Sequence, residues 1–184
     1  YLMLRIRYCG TVIVATMLIT AQIGQQLITT PWGVTNAGNV SYAWTFYALS
    51  FFSWRRSIIS FHGLVSAVIC TSGLSVLAQL LLTADFKPAQ FIIPAGSFAA
   101  FYLAAAVNHV IINSGPLTWW RKLMANYAGQ AVDSIVFFPF VFGVALADNL
   151  HEVMLSGFVL KCLLNTIDTP IFLWLVKQAK RSLL

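Results

Sequence analysis

Three ionisable side chains fall where the sequence otherwise reads as hydrocarbon: Asp133, Lys161 and Asp168. At the centre of a membrane helix each costs about 2.5–3.5 kcal/mol on the insertion scale, which makes them functional candidates by default. Amides accompany them at helical spacing. Asn126, Gln130 and Asp133 stand at i, i+4 and i+7, and Lys161, Asn165 and Asp168 repeat the interval. At about 100° per residue each trio falls within roughly 60° of arc, so each helix carries one polar stripe. Carboxylates accept from donor edges, amides meet mixed donor and acceptor groups, and an ammonium neutralises an acid or donates to a carbonyl. A single Lys–Asp pin between helices would need neither the second carboxylate nor the amides. The set suits recognition of a small polar molecule.

The elements that position these stripes follow from composition. Of 184 residues 59% are apolar and 9% charged, and the mean hydropathy is +0.81. Soluble domains are about 25% charged, so a soluble enzyme or nucleic-acid module is excluded. A spanning helix needs roughly 20 apolar residues, and the length allows six. The apolar stretches run over 9–29, 39–53, 58–82, 91–112, 123–147 and 153–176, with breaks at Pro31-Trp-Gly33, Trp54-Arg-Arg56, Asp85-Phe-Lys-Pro88, Ser114-Gly-Pro116 and Asp148-Asn149. The second stretch is short and aromatic, compatible with a tilted, broken or re-entrant segment. The fold class is an all-α membrane protein, one domain of six helices.

Charge orients the bundle. Arg5, Arg7, Arg55, Arg56, Arg121, Lys122, Lys177, Lys180 and Arg181 fall on one side of an alternating pattern, Lys87 on the other and Lys161 inside a span. The positive-inside rule then puts both termini in the cytoplasm of an inner-membrane protein. The pI of 9.5 is thus a topology signal and not a nucleic-acid footprint. The first span is too long for a signal peptide and lacks a cleavage site. The chain starts at Tyr1, so a few preceding residues are expected.

Asp133 and Asp168 sit about 12–15 Å from the cytoplasmic end of their helices, at about 1.5 Å per residue, with Lys161 two turns further out. Facing stripes on two antiparallel helices would line a cavity near the midplane. Asn108, late in the fourth span, is a weaker member. Trp44 and Tyr47 are candidates to stack a flat ligand, although aromatic belts have the same composition. His62 and His109 are expected at the interface. Gln22, Gln25 and Gln26 suit either the cavity or interhelical bonding. Cys9, Cys70 and Cys162 show no disulfide or metal spacing. A phosphate loop is absent, so ATP hydrolysis by the chain itself is not expected, and no cofactor is expected. A lipid-modifying enzyme would want acids and histidines clustered at the membrane surface, whereas here they are separated.

The last two spans carry a pattern. Asn126-Tyr-Ala-Gly-Gln130-Ala-Val-Asp133-Ser-Ile-Val-Phe137-Phe138, followed by Leu160-Lys161-Cys-Leu-Leu-Asn165-Thr-Ile-Asp168-Thr169-Pro170, resembles the queuosine precursor transporter family, also called vitamin-uptake-like (VUT). The resemblance covers about residues 94–177, including the small-residue fourth helix at 95–113. Thr45-Phe46 resembles the family's aromatic second helix, but Ser50 stands where an acid is usual. The resemblance implies uptake of a 7-deazaguanine such as preQ0 or preQ1, and a fold like the substrate-binding subunits of energy-coupling-factor transporters.

The expected site is therefore Asn126, Gln130, Asp133, Lys161, Asn165 and Asp168, with Asn108, Trp44 and Tyr47 as weaker members. Asp133 is expected to read the donor edge of the base, and Lys161 with Asp168 to form a coupling pair. Two alternatives stay open: self-sufficient transport, or a binding subunit served by a separate ATPase. Ala99, Ala100, Ala104, Ala105 and Ala106 offer a partial docking face for such a module, and a homo-oligomer is equally open.

Overall fold

The structure is a computed structural model that describes Ala15 and residues 27–54, 58–83, 89–142 and 150–181. Among the described residues after Ala15, a two-stranded antiparallel hairpin comes first, β1 (Leu27–Thr30) and β2 (Gly33–Asn36). Five helices follow: α1 (Gly38–Ser53), α2 (Ile58–Thr83), α3 (Ala89–Asn113), α4 (Trp119–Phe142) and α5 (Leu150–Arg181). They occupy the second to sixth apolar stretches. The segments Ala95–Asn113 and His151–Gln178 are long and apolar enough to cross a membrane. The body of the first stretch lies outside the described residues, as do Gln22, Gln25, Gln26, Arg55, Arg56, Asp85, Lys87 and Asp148.

The hairpin was not expected. Leu27, Ile28 and Thr29 close the first apolar stretch in the sequence, yet they pair with Asn36, Thr35 and Val34. β-Branched residues on both sides of Pro31-Trp32-Gly33 favour strand, and Gly33 supplies the positive φ of 128° that the turn requires. The hairpin rests on the start of α5. Glu152 Oε1 accepts from Val34 N at 3.2 Å, Trp32 Nε1 donates to Ser156 O at 3.3 Å, and Ser156 Oγ donates to Val34 O. Gly157 leaves room for the Thr35–Asn39 corner, where a Cβ would lie 2.5 Å from Asn39 Nδ2.

α1 is a continuous helix with no break. It lies among α3, α5 and the rest of the bundle, with Tyr42, Ala43, Phe46 and Leu49 buried. Tyr42, Phe46 and Phe101 meet edge to face, with centroids 5.7–6.5 Å apart, and Phe61, Val65 and Val68 of α2 complete that core. α3 and α4 form a close antiparallel pair through Ser114-Gly115-Pro116. Small residues permit it: Ala104 and Ala105 are fully buried, and a Cβ on Gly129 would lie 2.7 Å from Phe46 Cε1 and 3.1 Å from Ala104 O. Thr118 begins α4, its Oγ1 accepting from Arg121 N at 3.2 Å. Near Pro170, which removes a backbone donor inside α5, Thr166 and Thr169 bond back to the Cys162 and Asn165 carbonyls. The outer faces are apolar, with Leu155, Ile167 and Trp174 of α5 more than half exposed.

Candidate functional site

The two polar stripes face each other along the antiparallel α4–α5 seam as a ladder of rungs. At the hairpin end Lys161 Nζ donates to Asp133 Oδ2 at 2.9 Å, and Tyr42 of α1 donates its hydroxyl to Asp133 Oδ1 at 2.7 Å. The Tyr42 ring also lies 5.4 Å from Lys161 Nζ. Both carboxylate oxygens are thus engaged. In the middle rung Asn126 Nδ2 donates to Asn165 Oδ1 at 2.8 Å, and Asn165 Nδ2 turns back to Lys161 O at 2.8 Å. Asn108 Nδ2 of α3 donates to Asn126 Oδ1 at 2.9 Å. Ser50 Oγ of α1 lies 3.2 Å from Asn108 Oδ1 and 3.1 Å from Asn126 Oδ1, and its one proton serves either. A belt of hydrogen bonds therefore ties four helices at one level. At the far end Lys122 Nζ lies 3.6 Å from Asp168 Oδ1 and 4.9 Å from the centre of the Phe172 ring.

Three expectations are corrected by this geometry. Lys161 pairs with Asp133 and not with Asp168. The reason is axial: residues seven apart on one helix are about 10 Å apart along its axis, beyond a direct contact, whereas Asp133 lies across the seam. Asp168 takes Lys122, which reads in the sequence as a charge following the fourth span but is fully buried. Trp44 points away from the seam with 51% of its surface exposed, because it stands two residues, about 200° of arc, from Tyr42. Tyr47 is half-buried with its ring 6.3 Å from Phe172, and so borders the far rung. His109 is buried and stacked on Phe61 at 4.3 Å, and His62 meets the Tyr102 hydroxyl at 2.7 Å; both belong to the α2–α3 packing.

Residues 126, 130, 133, 161, 165, 168 and 108 do share this buried seam. Tyr42, Ser50 and Lys122 are members that the sequence reading missed. Lys122 had a signal, one turn before Asn126 in the same stripe. Ser50 had one too, as a small polar residue on an aromatic helix at a position singled out in the sequence. Tyr42 had none, since any of several aromatic residues could have faced inward.

Gln130 stands apart from its neighbours. It is fully buried between the Asp133 and Asn126 levels, and among the described residues neither Oε1 nor Nε2 of its amide meets a partner. An unmet buried polar group costs about 1–3 kcal/mol, so a free primary amide inside a satisfied network is an exception that calls for an explanation. Among the described residues no cluster of three His, Cys, Asp or Glu side chains could hold a metal ion.

Neither a curated protein nor a solved structure matches the chain. A family model, described as "Putative vitamin uptake transporter", matches residues 9–175. That span covers nearly all of the 184 residues, including both stripes, and the chain belongs to this family of vitamin uptake transporters.

Proposed function

We propose that the chain is a six-span inner-membrane uptake transporter for a small planar heterocycle, a 7-deazaguanine such as preQ0 or preQ1. In this reading both termini and the Lys122 end of the seam face the cytoplasm, and the hairpin faces outward. The nine basic residues on one side of the alternating pattern support that orientation.

The observation that carries the reading is the unmet amide of Gln130. A guanine-like ring presents a carbonyl beside a ring N–H, and a primary amide answers with one donor and one acceptor in parallel. Asp133 is then the anchor and not the principal reader. Tyr42 and Lys161 fix its carboxylate, whose remaining lone pairs can accept from an exocyclic amine beside Gln130. The asparagine belt sets the helix spacing around the ligand. Transporter sites commonly lie near the midplane between packed helices, which is where this level of the seam would fall.

The test is uptake of radiolabelled preQ0 by liposomes that contain the purified chain and no other protein. Time-dependent accumulation supports a self-sufficient transporter. Saturable binding without accumulation supports a binding subunit that needs an energising module. Absence of both overturns the assignment to this ligand class.

A further inference from the structure

The far rung is built differently from the rest of the seam. Lys122 has a fully buried ammonium, yet among the described residues neither Nζ nor Asp168 Oδ1 meets a hydrogen-bonding partner, and their separation of 3.6 Å exceeds an ordinary hydrogen bond. Apart from the Thr169 hydroxyl beside Asp168, no hydrogen bond reaches this pair among the described residues, so both ions are poorly compensated for lost hydration. Phe172 lies against Lys122 and belongs to an apolar cluster with Trp54 after α1, Ile112 of α3, Ala125 of α4 and Val176 of α5. The groups that act electrostatically on the Asp168 carboxyl are Lys122 and the Thr169 hydroxyl. Arg121 is turned to Gly115, and His109 of α3 faces Phe61 and His62 of α2. Tyr47 of α1 meets the edge of Phe172.

Position makes this pair separable. Lys122 lies in the first turn of α4, three residues from Trp119, so its flexible stem can carry the ammonium out to water at that end of the helix. Asp168 stands well inside α5 on a short side chain that cannot follow, with about a tenth of its surface accessible for a proton to reach. A carboxylate left alone in that surround takes up a proton in preference to remaining charged. We infer that the Lys122–Asp168 pair is the proton-coupling gate of the transporter: Asp168 gains one proton from water as Lys122 withdraws, and releases it as the ion pair re-forms. This rests on the transporter reading above. The balance is one proton taken up and one returned, with no other bond made or broken.

Two measurements separate the failure of the gate from the failure of the substrate assignment. The first needs no substrate: infrared difference spectra of the purified protein across a pH series. A protonated-carboxyl band is expected to appear on acidification, to vanish in Asp168→Asn, and to persist to alkaline pH in Lys122→Met, which leaves Asp168 no cation. A band that survives Asp168→Asn, or no titrating band in the wild-type chain, overturns the inference. The second is preQ0 uptake under an imposed inward proton gradient. With one proton per substrate, one pH unit supports about tenfold accumulation, and in Asp168→Asn uptake becomes equal with and without the gradient. Wild-type uptake indifferent to the gradient overturns the gate. No wild-type preQ0 uptake overturns the substrate assignment, and the infrared band then decides the proton site alone.

Discussion

Two buried lysine–aspartate pairs join the same two helices, and they are not equivalent. Lys161–Asp133 is closed at 2.9 Å and braced by Tyr42, whereas Lys122–Asp168 stands at 3.6 Å. Distance alone separates them little. At an effective dielectric of about 20 the two Coulomb energies differ by only about 1 kcal/mol. Hydrogen bonds to charged groups contribute about 1.5–3 kcal/mol each, and Asp133 receives two of them. The difference teaches that the hairpin end of the seam is held shut by directed bonds, while the far end is held mainly by charge.

The largest effect expected is on the braced pair. Asp133→Ala strands the Lys161 ammonium in the interior and should cost about 3–5 kcal/mol, read as a large fall in Tm of the detergent-solubilised protein. Asp168→Ala should cost clearly less, because the withdrawal inferred for Lys122 would carry its ammonium from the interior to water. Equal losses would erase the distinction between the two pairs. Tyr42→Phe removes one bond to a charged acceptor and should cost about 1.5–3 kcal/mol in the same assay. A loss within error of zero would mean that Tyr42 does not brace Asp133.

Gly129→Ala probes the packing that brings Phe46 and α3 up against the seam. Its new methyl group would overlap Phe46 and crowd the Ala104 carbonyl, with an expected cost of about 1–3 kcal/mol. The smallest stability effect belongs to Gln130→Leu, which replaces an unmet buried amide with an apolar side chain of similar size. Tm should stay level or rise. A marked fall would show that the amide has a structural partner and is not waiting for a ligand.

Much of the seam is legible before any coordinates, and the reason is periodicity. Asn126, Gln130 and Asp133, and Lys161, Asn165 and Asp168, declare two faces because polar residues at helical spacing on apolar helices have one interior to face. Periodicity does not set the register between the helices. It shows that Lys161 faces α4, and not that Asp133 rather than another acid meets it. Lys122 was hidden by its neighbour Arg121 and its place beside a loop, where a basic residue ordinarily marks topology. The hairpin was hidden because Leu27, Ile28 and Thr29 continue an apolar run, and only Gly33 and the β-branched residues around it hint at a turn. Ser50 shows a subtler limit. A lone serine hydroxyl on an apolar helix carries little signal in the sequence, but here it joins Asn108 and Asn126 in the belt.

The central claim is that the unmet amide of Gln130 receives the planar substrate. The most direct measurement is equilibrium binding of preQ0 to the purified wild-type chain and to Gln130→Leu, with Tm confirming that both are folded. The loss of a paired donor and acceptor is expected to weaken Kd by at least about tenfold, with Tm unchanged or higher. Equal affinity of the two folded proteins for preQ0 would contradict the claim.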